Sequence, residues 1–282
     1  LNNVLVLLND LSGLQAKADL APGEKPGTAG LLVTMKDLDR QGGYVYVDNY
    51  GNRSTGRTRI GASWHYNNLV NQGDQLQLGY LTTTQRDLQN FNIQYIQYIG
   101  RSGIKWQNSF SHMKYELGGN YKAQDSDGKS ETFESRVTIP LTRRWAQSTL
   151  FDIAFRHRQI RDDMYNGAVS QRKCTSVLDF SLHGFGRTRR TSLSYDLTHT
   201  IGQAHLKSED SKRADVYGIN GEFTKTTASL YYMHSLGRDT TLHLSATGQY
   251  AWCDNLDSSE DFYIGGPNAV RAYPGGAASG DW

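Results

Sequence analysis

The chain has 282 residues, with 17 Tyr, 5 Trp and 29 Gly but only 37% apolar residues and a net charge of +2. No window approaches the roughly 18 consecutive apolar residues of a membrane helix. That excludes a helical membrane protein but not a membrane β-barrel, whose strands alternate lipid-facing and lumen-facing residues and so average to polar. The small net charge argues neither for nor against nucleic acid.

Leu1 opens directly into folded-looking sequence with no signal peptide, so an exported protein would have lost its N-terminus. Leu1, Val4, Leu5 and Leu8 share one face of a short helix. After a turn at Ser12-Gly13, Leu14 to Leu20 alternates as a strand; Ala21 to Thr28 is a Pro/Gly-rich turn, and Leu31 to Asp37 reads as a second strand. Helix, strand, turn, strand is the back half of a small α+β module. It is too short to bury a core alone, so its front half is expected to be missing.

Beyond Gly43 apolar and polar residues alternate again and again. Ile60, Ala62, Trp64 and Tyr66 oppose Arg59, Ser63, His65 and Asn67; Phe133, Val137 and Ile139 oppose Glu134, Arg136 and Thr138. Phe151, Ile153 and Phe155 oppose Asp152 and Arg156, and Leu178 and Phe180 oppose Asp179. Period two puts each set on one face of a strand. One face is wet and the other nearly free of charge, as it must be where a cation at mid-bilayer costs about 2–4 kcal/mol. Trp64, Tyr66, Tyr95, Trp106, Tyr250 and Trp252 fall near strand ends, as in interfacial girdles. Turns after even-numbered strands are short. Those at Lys122–Ser130, Arg161–Gln171 and Gln203–Ala214 read as long and polar. This asymmetry predicts an all-β transmembrane antiparallel barrel with its short turns periplasmic. The count is about eleven strands, whereas single-chain bacterial barrels have an even number and must close. A fragment lacking its last strands is therefore expected, with residues 1–40 as a periplasmic module and 41–282 as a partial barrel.

The most informative stretch is Phe262 to Asp281. It holds Gly265, Gly266, Val270, Arg271, Ala272, Tyr273, Pro274, Gly280 and Asp281. Its glycines and prolines make it a loop of fixed shape, the glycines reading as positions of close backbone approach or as ordinary turn residues. Its cation, Arg271, reads as a latch that needs a paired partner in a narrow lumen, or as an unpaired loop arginine. Arg59, Glu134, Arg136, Asp152, Arg156 and Asp179 are candidate lumen-lining charges. They line a polypeptide path or form a cross-strand ion-pair network. Ser208 to Arg213 reads as solvated surface. Cys174 and Cys253 have no metal-ligand neighbours at short spacing and are two unrelated cysteines or a structural bridge. His65, His112, His157, His183, His199, His234 and His243 are scattered, and no Gly-x-Ser-x-Gly or His-Glu-x-x-His appears. Enzymatic activity is not expected.

The stretch Phe262-x-Ile264-Gly265-Gly266-x3-Val270-Arg271-Ala272-Tyr273-Pro274-x-Gly276-x3-Gly280-Asp281 resembles the signature of two-partner secretion transporters, the haemolysin secretion/activation family. Leu11-Ser12-Gly13, Pro22-Gly23 and Pro26-Gly27-Thr28 look like the end of that family's second POTRA domain. The resemblance implies two periplasmic POTRA domains and an outer-membrane barrel of about sixteen strands. Its sixth extracellular loop folds into the lumen, and the arginine of that loop meets an acidic residue on a later strand. It further implies a large β-helical exoprotein as substrate, a toxin, haemolysin or adhesin, recognised through its N-terminal secretion domain and exported unfolded without ATP. It calls for no cofactor, metal or nucleic acid, and for a monomer in lipid. Ala272 stands where barrel-assembly insertases of the same superfamily, the alternative reading, usually carry glycine.

Overall fold

The computed structural model describes residues 2–23, 25, 27–252, 255–265, 270 and 278–281. A short helix, α1 (Asn2–Asp10), leads into an antiparallel hairpin of β1 (Leu14–Pro22) and β2 (Ala29–Asp37). Asn9 joins helix to hairpin: its amide nitrogen donates to the Ala16 carbonyl (2.9 Å), and its amide oxygen accepts the Ala16 N–H (2.8 Å).

The remaining strands are β3 (Gln41–Asp48), β4 (Arg59–Asn67), β5 (Gln75–Thr83), β6 (Leu88–Ile99), β7 (Ile104–Glu116), β8 (Asp127–Arg144), β9 (Gln147–Met164), β10 (Val169–Arg187), β11 (Thr191–Leu206), β12 (Gly221–Ser235) and β13 (Thr241–Ala251). Among the described residues these eleven form one sheet in sequence order, every pairing antiparallel. This is the meander that the alternating sequence predicts, with the expected strand count.

The register sorts the two faces. One cross-strand row runs His65, Gln77, Gln94, Ser109, Glu134, Arg156, Val177, Gly202 and Phe223. A row on the opposite face begins Trp64, Leu78, Ile93, Phe110 and Phe133. Large apolar side chains on that second face stay exposed, Phe91, Phe133, Phe155, Ile201 and Leu244 among them. The buried cluster of Val177, Ala204, Phe223, Ala251 and Leu256 lies on the first face, which is concave. Gly202 permits it, because a Cβ there would sit 2.5 Å from the Phe223 ring and 2.7 Å from Val177.

The two ends of the sheet differ. At the short-turn end α1 sits beneath the wall. Asp10 forms a two-pronged pair with Arg143 (2.5 and 2.8 Å), and Leu7 and Leu11 meet the turn glycines Gly103 and Gly73. Asp74 builds the first of these turns, accepting the N–H groups of Leu69, Val70 and Asn71 and the Tyr95 hydroxyl. Burial pushes its carboxyl up, but those four bonds outweigh burial and hold it below its usual value.

At the other end two expectations are corrected. Arg161–Gln171 is no long loop: β9 and β10 continue through it as a hairpin around Tyr165, Asn166 and Gly167, all at positive φ (54°, 57° and 80°). An Asn-Gly pair suits that geometry. The apparent loop is strand, because β8, β9 and β10 run 18, 18 and 19 residues, well beyond the roughly 9–11 needed to cross a bilayer. Nor is Ser208–Arg213 bare solvated surface. Most of α2 (Glu209–Ala214) lies in it, capped by Ser208. Asp210 accepts the Ser170 N–H (2.9 Å) and Ser211 accepts the Arg172 N–H (2.7 Å), docking the turn on β10.

Candidate functional site

After β13 the chain turns back over the concave face. Leu256 enters the apolar cluster, and Asp257 to Glu260 form a tight turn closed by the Glu260 N–H on the Asp257 carbonyl (2.7 Å). Two short strands follow, β14 (Phe262–Tyr263) paired with β15 (Ser279–Gly280). The glycine-rich signature begins here. Gly265 bridges Val270, whose N–H donates to the Ile264 carbonyl (3.0 Å). Asp281 accepts the Leu256 N–H on its carboxylate (3.2 Å) and the Gln249 amide on its carbonyl (3.2 Å). Gly266, Arg271, Ala272, Tyr273 and Pro274 lie outside the described residues, as does Cys253; among the described residues Cys174 is a free cysteine.

Two carboxylates pin this segment to the wall. Asp257 has no exposed side-chain surface; Lys173 of β10 reaches it at 2.8 Å, and the Ser259 N–H donates to its other oxygen at 2.9 Å. Burial pushes the Asp257 carboxyl up. The bonds from Lys173 and Ser259 outweigh that and hold it below the usual 3.8. Glu260, 2% exposed, is the hub: Lys225 of β12 lies at 2.9 Å, and Arg156 and Arg158 of β9 at 3.4 and 3.5 Å. Its carbonyl also accepts Lys225 (2.7 Å), and Arg158 donates to the Ser259 carbonyl (2.9 Å). Strands three apart in a sheet are separated by about 14 Å, so cations from β9 and β12 meet on one carboxylate only across a concave wall. Asp261 behaves differently. Burial raises its carboxyl, the Ser279 hydroxyl (3.0 Å) opposes the rise, and the charges of Asp281 and Asp257 add to it.

The six candidate charges read from the sequence all occupy the concave face. Five of them form two clusters, Glu134–Arg136–Asp152 and Arg156–Asp179. Arg136 spans Glu134 and Asp152, both at 2.9 Å; Arg156 joins Asp179 (3.5 Å) to Glu260; Asp179 accepts the Thr200 hydroxyl (2.6 Å). Arg59 stands apart in a bidentate pair with Asp48 (2.7 and 2.9 Å). Sequence reasoning missed Lys173, Arg158, Lys225, Asp257 and Glu260. A signal existed: the acidic run Asp257-Ser258-Ser259-Glu260-Asp261 directly precedes the glycine-rich stretch, and isolated lysines sit among small or apolar inward neighbours on β10 and β12.

The β4–β7 part of the concave face is mostly neutral, with Arg59 and Lys105 as its charged residues. From β4 to β7 it presents Ser63, Gln75, Gln77, Asn90, Asn92, Gln94, Gln107, Ser109 and Ser111. Gln75 donates to Asn67 (2.6 Å) and Gln94 to Gln77 (3.4 Å). Between this wall and the pinned segment lies a cavity of about 440 Å³, lined by Asn90, Ser111, Ser130, Thr132, Arg158 and Ser259 among others.

Residues 27–282 match the family model described as haemolysin secretion/activation protein ShlB/FhaC/HecB. The chain is 29% identical over 286 residues to a heme/hemopexin transporter protein HuxB of Haemophilus influenzae (strain 86-028NP), covering 100% of this chain and 50% of the relative. It is 23% identical to the outer membrane transporter CdiB of Dickeya dadantii (strain 3937), covering 94% and 48%. Among solved structures, CdiB from Escherichia coli superposes with a TM-score of 0.77 at 18% identity, over 95% of this chain and 51% of that one. The chain thus spans about half the length of these relatives, and the structural likeness establishes a shared fold.

Proposed function

The chain belongs to the haemolysin secretion/activation family, and from that premise we propose that the whole protein is an outer-membrane translocase secreting a large exoprotein partner by two-partner secretion, without ATP. One observation carries the reading: the concave face is divided into a charged half that holds a returning segment and a mostly neutral half that, among the described residues, makes none of that segment's ion pairs. A moving unfolded chain needs a wet wall that does not trap it. Gln, Asn and Ser exchange hydrogen bonds with passing backbone as water does, and fixed charges would pair with passing side chains.

In this account the concave face is the lumen, and Arg59, Glu134, Arg136, Asp152, Arg156 and Asp179 line it. The loop of Gly265, Gly266, Val270, Arg271, Ala272, Tyr273, Pro274, Gly280 and Asp281 is lumenal, with Asp257 and Glu260 as its root and Arg271 as its latch. Residues 1–40 form the C-terminal part of a periplasmic POTRA domain. Leu20, Leu31, Val33 and Met35 share one face of its hairpin and are exposed, which fits a module whose other elements cover that face. Residues 41–282 form part of the barrel, and the protein works as a monomer in lipid.

The test is a secretion assay. The full-length protein is expressed with its neighbouring large exoprotein in a Gram-negative host, and the medium is probed for the exoprotein. Export only when the transporter is present is the expected result; equal export without it would overturn the proposal. Arg271→Ala should reduce export while leaving barrel insertion intact, and unimpaired secretion by that variant would remove the latch role.

A further inference from the structure

The face opposite the lumen carries an arrangement that secretion does not explain. Beyond the apolar belt, on the strand extensions at the α2 end, Lys114 of β7 stands directly opposite Lys129 of β8. Lys129 is opposite Arg161 of β9, and Arg161 is opposite Arg172 of β10. Four cations therefore face one another in a row across four adjacent strands. One step further from the belt, Glu116, Asp127 and Asp163 form a matching acidic row. Like charges directly opposite destabilise a sheet, and opposite charges stabilise it. A surface selected only for ion pairing would alternate signs across the strands; here the signs sort by height, cations toward the membrane.

Pairing within the protein uses only part of this charge. Lys114 meets Glu116 (3.2 Å), Arg161 meets Asp163 (2.7 Å), and Glu131, nearer the belt, is taken by His112 (3.3 Å). Among the described residues the exposed side chains of Lys129 and Arg172 have neither an ion pair nor a side-chain hydrogen bond; Asp163 is held by Arg161 and Ser170, and Arg172 acts on it only through its charge at longer range. The row lies four residues past Phe133 on β8 and six past Phe155 on β9. With tilted strands that places it roughly 10–15 Å above the last apolar layer, at head-group height for long side chains that bend toward the membrane.

We propose that Lys129 and Arg172, within the row Lys114–Lys129–Arg161–Arg172, bind the phosphate groups of an anionic lipid in the outer leaflet. The inference rests on the reading above, that this is an outer-membrane barrel with its α2 end outside. The shared chemistry is a phosphate between two or more cations, and the test separates a lipid phosphate from a free one.

Full-length protein refolded without lipopolysaccharide is titrated with lipid A bearing two phosphates, with its dephosphorylated form, and with inorganic phosphate alone. The variants are Lys129→Gln/Arg172→Gln and, as a control at the short-turn end, Arg189→Gln/Arg190→Gln. Wild type and control should bind bis-phosphorylated lipid A alike, and the Lys129/Arg172 pair about tenfold more weakly. Dephosphorylated lipid A should not distinguish them. Equal binding by all three proteins overturns the site, as does equally tight binding of inorganic phosphate, which would make it a free-anion site. Heat-modifiable mobility reports barrel formation and exoprotein export reports the translocase, so loss of lipid binding is separable from failure of the functional reading.

Discussion

The two halves of the concave wall are built from the same alternating strand and differ in what they carry. From β9 to β13 the inward residues include small or apolar ones such as Ala154, Val177, Ala204 and Phe223, cations that meet a carboxylate of the returning segment, and carboxylates such as Asp152 and Asp179 paired with arginines of the wall. From β4 to β7 they are amides and hydroxyls, with Lys105 and Arg59 at the margins. The difference teaches how a polar pore wall is divided between holding and passing. Charge placed deep in a wall is tolerated where a fixed partner neutralises it, so the charged half must be covered, and the neutral half has no need of a cover.

The strongest way to break this division is to remove the hub. Glu260→Ala would strand Lys225 and Arg158 without a counter-ion and leave Arg156 with Asp179 alone, and uncompensated buried charge costs about 3–5 kcal/mol. The segment should leave the wall, seen as larger and noisier conductance in planar bilayers and as new protease cleavage between Asn255 and Tyr263. Asp257→Asn is a milder form. It leaves a neutral acceptor for Lys173, with an expected loss of about 1–3 kcal/mol, and a double-mutant cycle with Lys173→Met should show coupling between the two positions. Gly202→Val attacks the apolar contact by forcing a side chain between Phe223 and Val177, for about 1–3 kcal/mol by overpacking.

Acidification sharpens the comparison with a smaller effect. The Asp257 carboxyl is held below 3.8 when docked, so its contribution is present above 3.8 and is lost as pH falls through the docked value. Asp261 is raised when docked, so its contribution is full below 3.8 and is lost as pH rises through its docked value. Conductance noise should therefore fall modestly as pH drops from neutrality toward the carboxylate range, then rise below it. A monotonic response would contradict the two opposed shifts. The smallest effect belongs to the neutral half, where Gln94→Ala should change docking by less than about 0.5 kcal/mol.

The wall was legible in the sequence because period two is a local property. Trp64 against His65 or Phe155 against Arg156 states which face is wet, with no knowledge of the partner strand. What hid was long-range. The pairing of Asp257 with Lys173 or of Glu260 with Lys225 depends on a loop folding back over strands 84 and 35 residues away, and no spacing rule encodes that. The misjudged loop at Arg161–Gln171 has a local cause. Its Arg, Asp and Asn composition suggests loop, but strands that outrun the bilayer are solvated on the outside and take polar residues freely. The Tyr165-Asn166-Gly167 turn was the better guide.

The most direct test of the division uses a partner exoprotein stalled during export, with a photo-crosslinking residue at single inward positions of the full-length transporter. Probes at Asn92, Gln94 and Ser111 on the neutral half should crosslink the exoprotein, and probes at Thr200, Ala204 and Phe223 under the pinned segment should not. Uniform crosslinking around the wall, or crosslinks confined to the charged half, would contradict the account.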